Sequence, residues 1–476
     1  MLYGLLGFLI GSRVIADNSL FTHFANGRLI WDGGGIPIVD PYSFTAAGES
    51  VTVQSWLPSW IYVGLHDTLG GWALRLLNGA ICALLIASLW RLAAGTKQLL
   101  PRVLLVGAAI VVGAGLWTPR PLLFGLLCFA AVLHVLRSEL PAWTLLGVMW
   151  IWVNSHGSFP IALVLIGATG LGQFVDDLRA GKKTLPVAEL RVFAFAVSGT
   201  ALGALNPLGF RLLTFPISLL SRSEALENVV EWRHTDFDSA SEWGFACLIV
   251  MFVVTLKRGA SARSIVPGVI FIAAGIYAYR NLPMASFVLV AVIAPFFSVP
   301  KLTIDGDVTG LVPRALRLVA VAGVALIALS ITQQGAFDFR RYPVDEVAWL
   351  EERDLVANDE VRIVHRDIVG NYLELQYGAD ANVFVDDRFD FYPFDVLDAH
   401  DVFIFGGDYA AVIEQYNVNV VLWRGDSDFT TWILENEDWI VAYDGVNEGP
   451  PGVDVERSEA WIIACHTGSS VVARCS

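Results

Sequence analysis

The sequence predicts a polytopic α-helical membrane protein of about eleven spans that ends in a small α/β domain outside the membrane. Three observations carry this expectation. Of 476 residues, 55% are hydrophobic and 16% charged, against roughly 25% charged in soluble domains. Apolar runs of near-spanning length recur through the first two thirds of the chain. The charge is also partitioned: residues 333–476 hold 29 acids against 9 Arg and no Lys, while the rest holds 17 acids and 22 basic residues. The expected division is a basic-leaning transmembrane domain, 1–332, and an acidic soluble domain, 333–476. So acidic a domain argues against binding nucleic acid or anionic lipid directly.

The apolar runs fall near 2–16, 72–91, 101–117, 120–136, 141–153, 158–174, 190–205, 243–257, 264–279, 282–299 and 314–332. The first is short for a roughly 30 Å hydrocarbon core, consistent with a start further upstream. It lacks an Ala-x-Ala site, so no cleavable signal peptide is expected. Residues 56–70 are aromatic and contain Pro58, and read as an interfacial helix. Sidedness follows from the connections. One alternating set carries Arg91, Lys97, Arg102, Arg137, Arg179, Lys182, Lys183, Arg191, Lys257, Arg258, Arg263, Lys301, Arg314 and Arg317; the other carries Arg28, Arg120, Arg211, Arg222, Arg233 and Arg280. By the positive-inside rule the N-terminus is cytoplasmic. The first outer loop (17–56), the second large outer loop (206–242) and the acidic domain are then extracytoplasmic, in a multi-pass plasma-membrane protein.

In the acidic domain, VRIVH (361–365), ANVFVD (381–386), VNVVLW (417–422) and AWIIAC (460–465) read as strands. Helix-like stretches at 344–355 and 408–416 separate them, which predicts a small, mainly parallel sheet. No GxGxxG or Walker loop supports nucleotide binding. Cys82, Cys128 and Cys247 lie in apolar runs and read as core packing. Cys465 and Cys475 can pair if this domain faces an oxidising side.

The outer connections share a feature that the inner ones lack. Asp17, Asn18 and His23 follow the first run; Arg120 sits in a WTPRP turn; Asn154 and His156 sit in WVNSHGSFP; Asn206 opens NPLGFR; Glu231, Trp232 and Arg233 lie further along that loop; Arg280 and Asn281 occupy AYRNLP. Acids and cations at membrane depth are costly and ask for a reason. An Asp at that surface can take a proton from a hydroxyl, and Arg can fork onto a phosphate and stabilise the charge of a leaving group. Such a set suits displacement of a sugar from a lipid phosphate. Asp40 before Pro41 starts a turn, and Asp386-Asp387-Arg388 reads as a surface ion cluster closing a strand.

The order Asp17, His23, Gly27-Arg28, Pro37, Asp40-Pro41-Tyr42-Ser43-Phe44, Trp56-Leu57, with Arg120-Pro121, Asn154-x-His156-Gly157, Asn206-Pro207-x-Gly209, Glu231-Trp232, Arg280-Asn281 and Val385-Asp386-x-Arg388, resembles bacterial and archaeal membrane glycosyltransferases of the GT-C superfamily. The resemblance covers most of the chain. It implies an inverting, polyprenyl-phosphate-sugar-dependent transferase of the cell envelope. It implies Asp17 as general base, and Arg280, Arg120, His156, His23, Asp40 and Asn281 as substrate- or phosphate-binding residues. A divalent metal, if used, would fall to Asp17, Asp40 and His23. The donor would be a membrane lipid-linked sugar and the acceptor a glycan, lipid or protein, with 333–476 able to dock an envelope protein partner. Relatives carry a second acid one or two residues after the first. Here Asn18 and Ser19 stand there, which weakens a metal site and keeps a non-enzymatic scaffold or assembly factor open as the alternative. A transporter fits less well, because the polar residues cluster at one surface rather than mid-bilayer.

Overall fold

The computed structural model describes residues 2–222, 230–298, 311–445 and 460–475. The chain is mostly helical, with one four-stranded sheet near its carboxyl end. It separates into two compact units: Met1–Ile15 with Gln54–Phe337, and Ala16–Val53 with Asp338–Ser476. Residues 16–53, the expected first outer loop, thus share a unit with the C-terminal segment.

In the first unit, each of the apolar runs contains a helix. Among the described residues, six helices are long and apolar enough to cross a membrane: Trp72–Thr96, Leu99–Leu116, Pro160–Arg179, Ala240–Lys257, Tyr279–Phe296 and Ala315–Gln333. Others, such as Leu2–Gly11, Leu122–Leu136 and Ala262–Tyr277, are apolar but shorter. Length and composition therefore support six spans where the runs alone suggest eleven. The Trp72–Leu92 helix has 21 residues, about 31 Å at 1.5 Å per residue, which matches a hydrocarbon core.

Close packing there depends on small residues. A Cβ at Gly7 would lie 2.6 Å from the Cys82 carbonyl oxygen, and one at Gly11 would lie 2.5 Å from that of Asn78. The Gly7-x-x-x-Gly11 spacing lets two backbones touch, as small-residue motifs do between membrane helices. Arg75, fully buried, ties three segments: Nε donates to Ser12 O at 2.8 Å, Nη1 to Ser330 O at 3.1 Å and Nη2 to Ser330 Oγ at 2.6 Å. It satisfies carbonyls that helix ends leave orphaned. Trp117, Phe129, Trp152 and Phe287 fill the core. Cys82 and Cys128 are buried as expected, but Cys247 is exposed on its helix. Residues 56–69 form a helix, Trp56–Leu69. Lys301 and the Arg314 side chain lie outside the described residues.

The second unit holds strands β1 (Ile363–Val364), β2 (Val420–Arg424), β3 (Trp439–Asp444) and β4 (Trp461–His466), in the order β1-β2-β4-β3. Only β1 and β2 are parallel; β4 runs antiparallel to both β2 and β3. This corrects the mainly parallel expectation. Residues 381–386 are not a sheet strand, because their backbone bonds go elsewhere: Val383 N donates to Tyr42 O at 2.9 Å and Phe44 N to Val383 O at 3.1 Å. The missing fourth strand is β3, whose Trp439, Ile440, Val441 and Tyr443 are ordinary strand formers. Helices Val344–Glu351 and Tyr409–Tyr416 lie where the periodicity puts them. A disulfide joins Cys465 in β4 to Cys475.

Candidate functional site

The residues singled out from sequence divide between the units. Asp17, His23 and Asp40 belong to the second; Arg120, His156, Arg280 and Asn281 belong to the first.

In the second unit, Asp17 is half-buried just before the Ser19–Trp31 helix. Its Oδ1 accepts the Ser19 amide at 3.2 Å, so the carboxylate sits at the helix N-terminus, where negative charge is favoured. The Ser19 hydroxyl donates to Oδ2 of Asp387. One serine thus links two half-buried carboxylates from distant parts of the chain. Asn371 completes the arrangement: its Nδ2 donates to Asp387 Oδ1 at 2.7 Å and to Thr22 Oγ1 at 2.5 Å, and its Oδ1 accepts from Asn18 Nδ2 at 3.1 Å. Burial first, and then the charges of Asp17 and Asp387, push the Tyr342 hydroxyl up, so it stays a donor beside them. His23 lies on the same helix face as Ser19, one turn on, and is half-buried. Nothing local in the sequence separates Asp387 from Asp386 and Arg388, with which it reads as a surface ion cluster.

Asp386 and Arg388 are in fact interior. Asp386, Asp40 and Glu374 have fully buried side chains around Arg388, whose side chain is 13% exposed. Arg388 Nη1 donates to Asp40 Oδ1 at 2.6 Å, Nε to Asp386 Oδ1 at 2.9 Å, and Nη2 lies 3.7 Å from Glu374 Oε1. Asp40 Oδ2 accepts the Ser43 amide at 2.8 Å and hydroxyl at 2.5 Å. Burial pushes Asp386 up, but the Arg388 charge and fork outweigh it and hold the carboxyl at about 2. Burial, then the Asp386 charge, hold Glu374 well above the usual carboxylate range. The cluster therefore carries two carboxylates, one guanidinium and a neutral Glu374. A Cβ at Gly370 would lie 2.0 Å from the Val385 carbonyl oxygen, so only glycine lets the Asp367–Tyr377 helix approach this segment. Both oxygens of Asp40 are engaged, by Arg388 and Ser43, and Asp17, Asp40 and His23 are not gathered within reach of one ion. Among the described residues the one group of three ligand-type side chains close enough to share an ion is Asp236, Asp238 and Glu242. There Glu242 accepts from Ser239 as a helix capping box, and Arg233 pairs with both Asp residues.

Neither family models nor curated proteins give a match to this chain.

In the first unit, His156 Nδ1 lies 3.1 Å from the Ser158 amide nitrogen and 2.8 Å from Ser158 Oγ, which itself accepts from Trp152 Nε1 at 3.1 Å. Nε2 lies 3.4 Å from Arg280 Nη2; with the ring proton on Nδ1, donated to Ser158 Oγ, Nε2 accepts from the guanidinium. Arg280 also lies over the Trp232 ring, 4.4 Å from its centroid. Arg120 pairs with Glu231, so its charge is already matched. Asn281 Nδ2 donates to Ala274 O at 2.9 Å, which fixes the turn. Asn154 is fully buried and accepts from Trp56 Nε1 at 2.9 Å; its role is to hold its turn in place.

Proposed function

We propose that this chain is a membrane glycosyltransferase that moves a sugar from a polyprenyl-phosphate donor to an acceptor on the outer face of the membrane. The observation that carries the reading is the half-buried carboxylate pair, Asp17 and Asp387, at the amino end of the helix after the first apolar helix. In this reading the acceptor hydroxyl gives its proton to Asp17 while its oxygen attacks the anomeric carbon. The bond from that carbon to the phosphate oxygen breaks, and the lipid monophosphate leaves with the electron pair. A single displacement inverts the anomeric centre. Asp387 acts through Ser19, whose hydroxyl it holds, to position the Ser19 amide on Asp17. Within the first unit, Arg280 and His156 are the groups that would bind a phosphate oxygen, and Trp232 holds the guanidinium plane. No step is routed through a metal.

The Cys465–Cys475 disulfide supports an outward-facing second unit, because disulfides persist in oxidising compartments. The acceptor, whether glycan, lipid or protein, would meet that unit, which could also dock an envelope protein. A second reading, a scaffold without transfer chemistry, draws support from the neutralised Arg120 and the committed Asp40.

The test is mass spectrometry of surface glycans and glycolipids in a deletion strain, complemented with wild type or Asp17→Asn at equal expression. Loss of a fixed sugar mass that wild type restores and Asp17→Asn does not is the expected result. Full restoration by Asp17→Asn removes Asp17 as the base and moves the scaffold reading ahead.

A further inference from the structure

At one end of the sheet in the second unit, the start of β3 and the end of β4 meet the carboxyl ends of the Tyr409–Tyr416 and Asp428–Glu435 helices. They enclose an open cleft of about 520 Å3. Its wall includes Trp432, Trp439, His466, Glu414, Asn417 and Asp438, and among the described residues no Lys or Arg lines it. Trp432 is half-buried, backed by Tyr409 and Phe429 at ring separations of 5.5 and 6.2 Å. Trp439 is 7% exposed and stands edge-to-face with His466 at 5.2 Å. Glu414, Asn417 and Asp438 are exposed, and among the described residues none of their side chains makes a hydrogen bond. Asn417 sits there because its left-handed backbone (φ 52°) ends a helix, a conformation Asn and Gly tolerate best.

We propose that this cleft binds a neutral saccharide. Sugars present an apolar C–H face, which suits a single backed indole, and a rim of hydroxyls that both donate and accept. Glu414 and Asp438 accept from hydroxyl pairs, and the Asn417 amide does both. Two carboxylates on a described wall that holds no Lys or Arg repel phosphate, sulfate or acidic sugars. A cation would be held best between exposed ring faces, whereas here Trp439 is nearly covered. The site does not involve Asp17 and is independent of the transferase reading.

The test is calorimetry on the full chain in lipid nanodiscs, titrated with neutral tetrasaccharides of glucose, mannose or galactose, and separately with tetramethylammonium. Wild type and Asp17→Asn are expected to bind one of the saccharides equally. Asn417→Gly keeps the left-handed turn and deletes the amide, and Asp438→Ala is exposed, so both should fold. Each should weaken binding about fivefold, as loss of one or two hydrogen bonds does. Trp432→Phe keeps the packing against Phe429 and should weaken it as well. The proposal is overturned if no saccharide binds up to about 10 mM, if Asn417→Gly and Asp438→Ala stay within about twofold of wild type, or if only tetramethylammonium binds.

Discussion

Asp17 and Asp387 stand far apart in sequence, yet Ser19 hydrogen-bonds to both, through its amide and its hydroxyl. The arrangement supplies a second acid where the local sequence offers Asn18 and Ser19. If Asp17 is the base, its removal should cost about 100-fold or more in restored glycan, the scale of general-base catalysis. Asp387 touches the proton path only through Asp17, so Asp387→Asn should cost less, about tenfold, and Ser19→Ala should resemble it. Quantitative glycan restoration at matched expression measures both; an Asp387→Asn variant equal to wild type removes Asp387 from the site. Arg280 offers a second prediction at this scale. Its plane lies over Trp232 with one nitrogen toward His156, a geometry that a point-like ammonium cannot reproduce. Arg280→Lys should therefore lower restoration at least about tenfold, whereas a purely electrostatic role would let Lys substitute. Asp17, His156 and Arg280 stood out in the sequence because each is polar beside an apolar run. Asp387 did not, since nothing local distinguishes Asp386, which is interior, from Asp387, which is not.

Among the elements, helices were legible and sheet partners were less so. Every apolar run became a helix because spacing and length are local signals. Residues 381–386 looked like a strand by composition, but their partners are Tyr42 and Phe44, some 340 residues earlier, and no periodicity encodes that pairing. The same holds for Asp40 and Arg388, which bind the segment 16–53 into the second unit. The buried cluster they form has a pH signature. Glu374, held above its ordinary range by burial and then by Asp386, favours the folded state fully below the unfolded carboxyl value of about 4.3. That advantage is lost as pH rises toward the folded value, because the native state binds the extra proton. Glu374→Gln cannot lose it. The variant should match wild type near about pH 4 and gain on it steadily toward about pH 8. His365 and His400, both pushed down by burial, titrate in both proteins and cancel. Unfolding midpoints of the full chain across this range make the measurement, and a pH-independent difference would mean that Glu374 is ionised in the folded protein.

For the whole molecule the deciding quantity is which side of the membrane the second unit occupies. Two features bear on it. If all eleven apolar runs cross, basic residues concentrate in alternate connections, which the positive-inside rule assigns to the cytoplasm. Cys465 and Cys475 are joined, which a reducing cytoplasm disfavours. The two features need not agree: the first depends on connections in the first unit, the second on a bond within the second. A labelling experiment joins them. Cys82 and Cys128 are buried and Cys247 is exposed, so a Cys247→Ser background leaves few reactive thiols. Ser50, exposed in the second unit, and Lys182, exposed between the Pro160–Arg179 and Val187–Leu202 helices, are then replaced singly by Cys. In intact cells a membrane-impermeant maleimide should label Ser50→Cys at once and Lys182→Cys only after permeabilisation. The inverse pattern would put the segment carrying Asp17 in the cytoplasm. Outer-face transfer would then fail however severe the Asp17→Asn phenotype, because donor and acceptor would have to meet on the other leaflet.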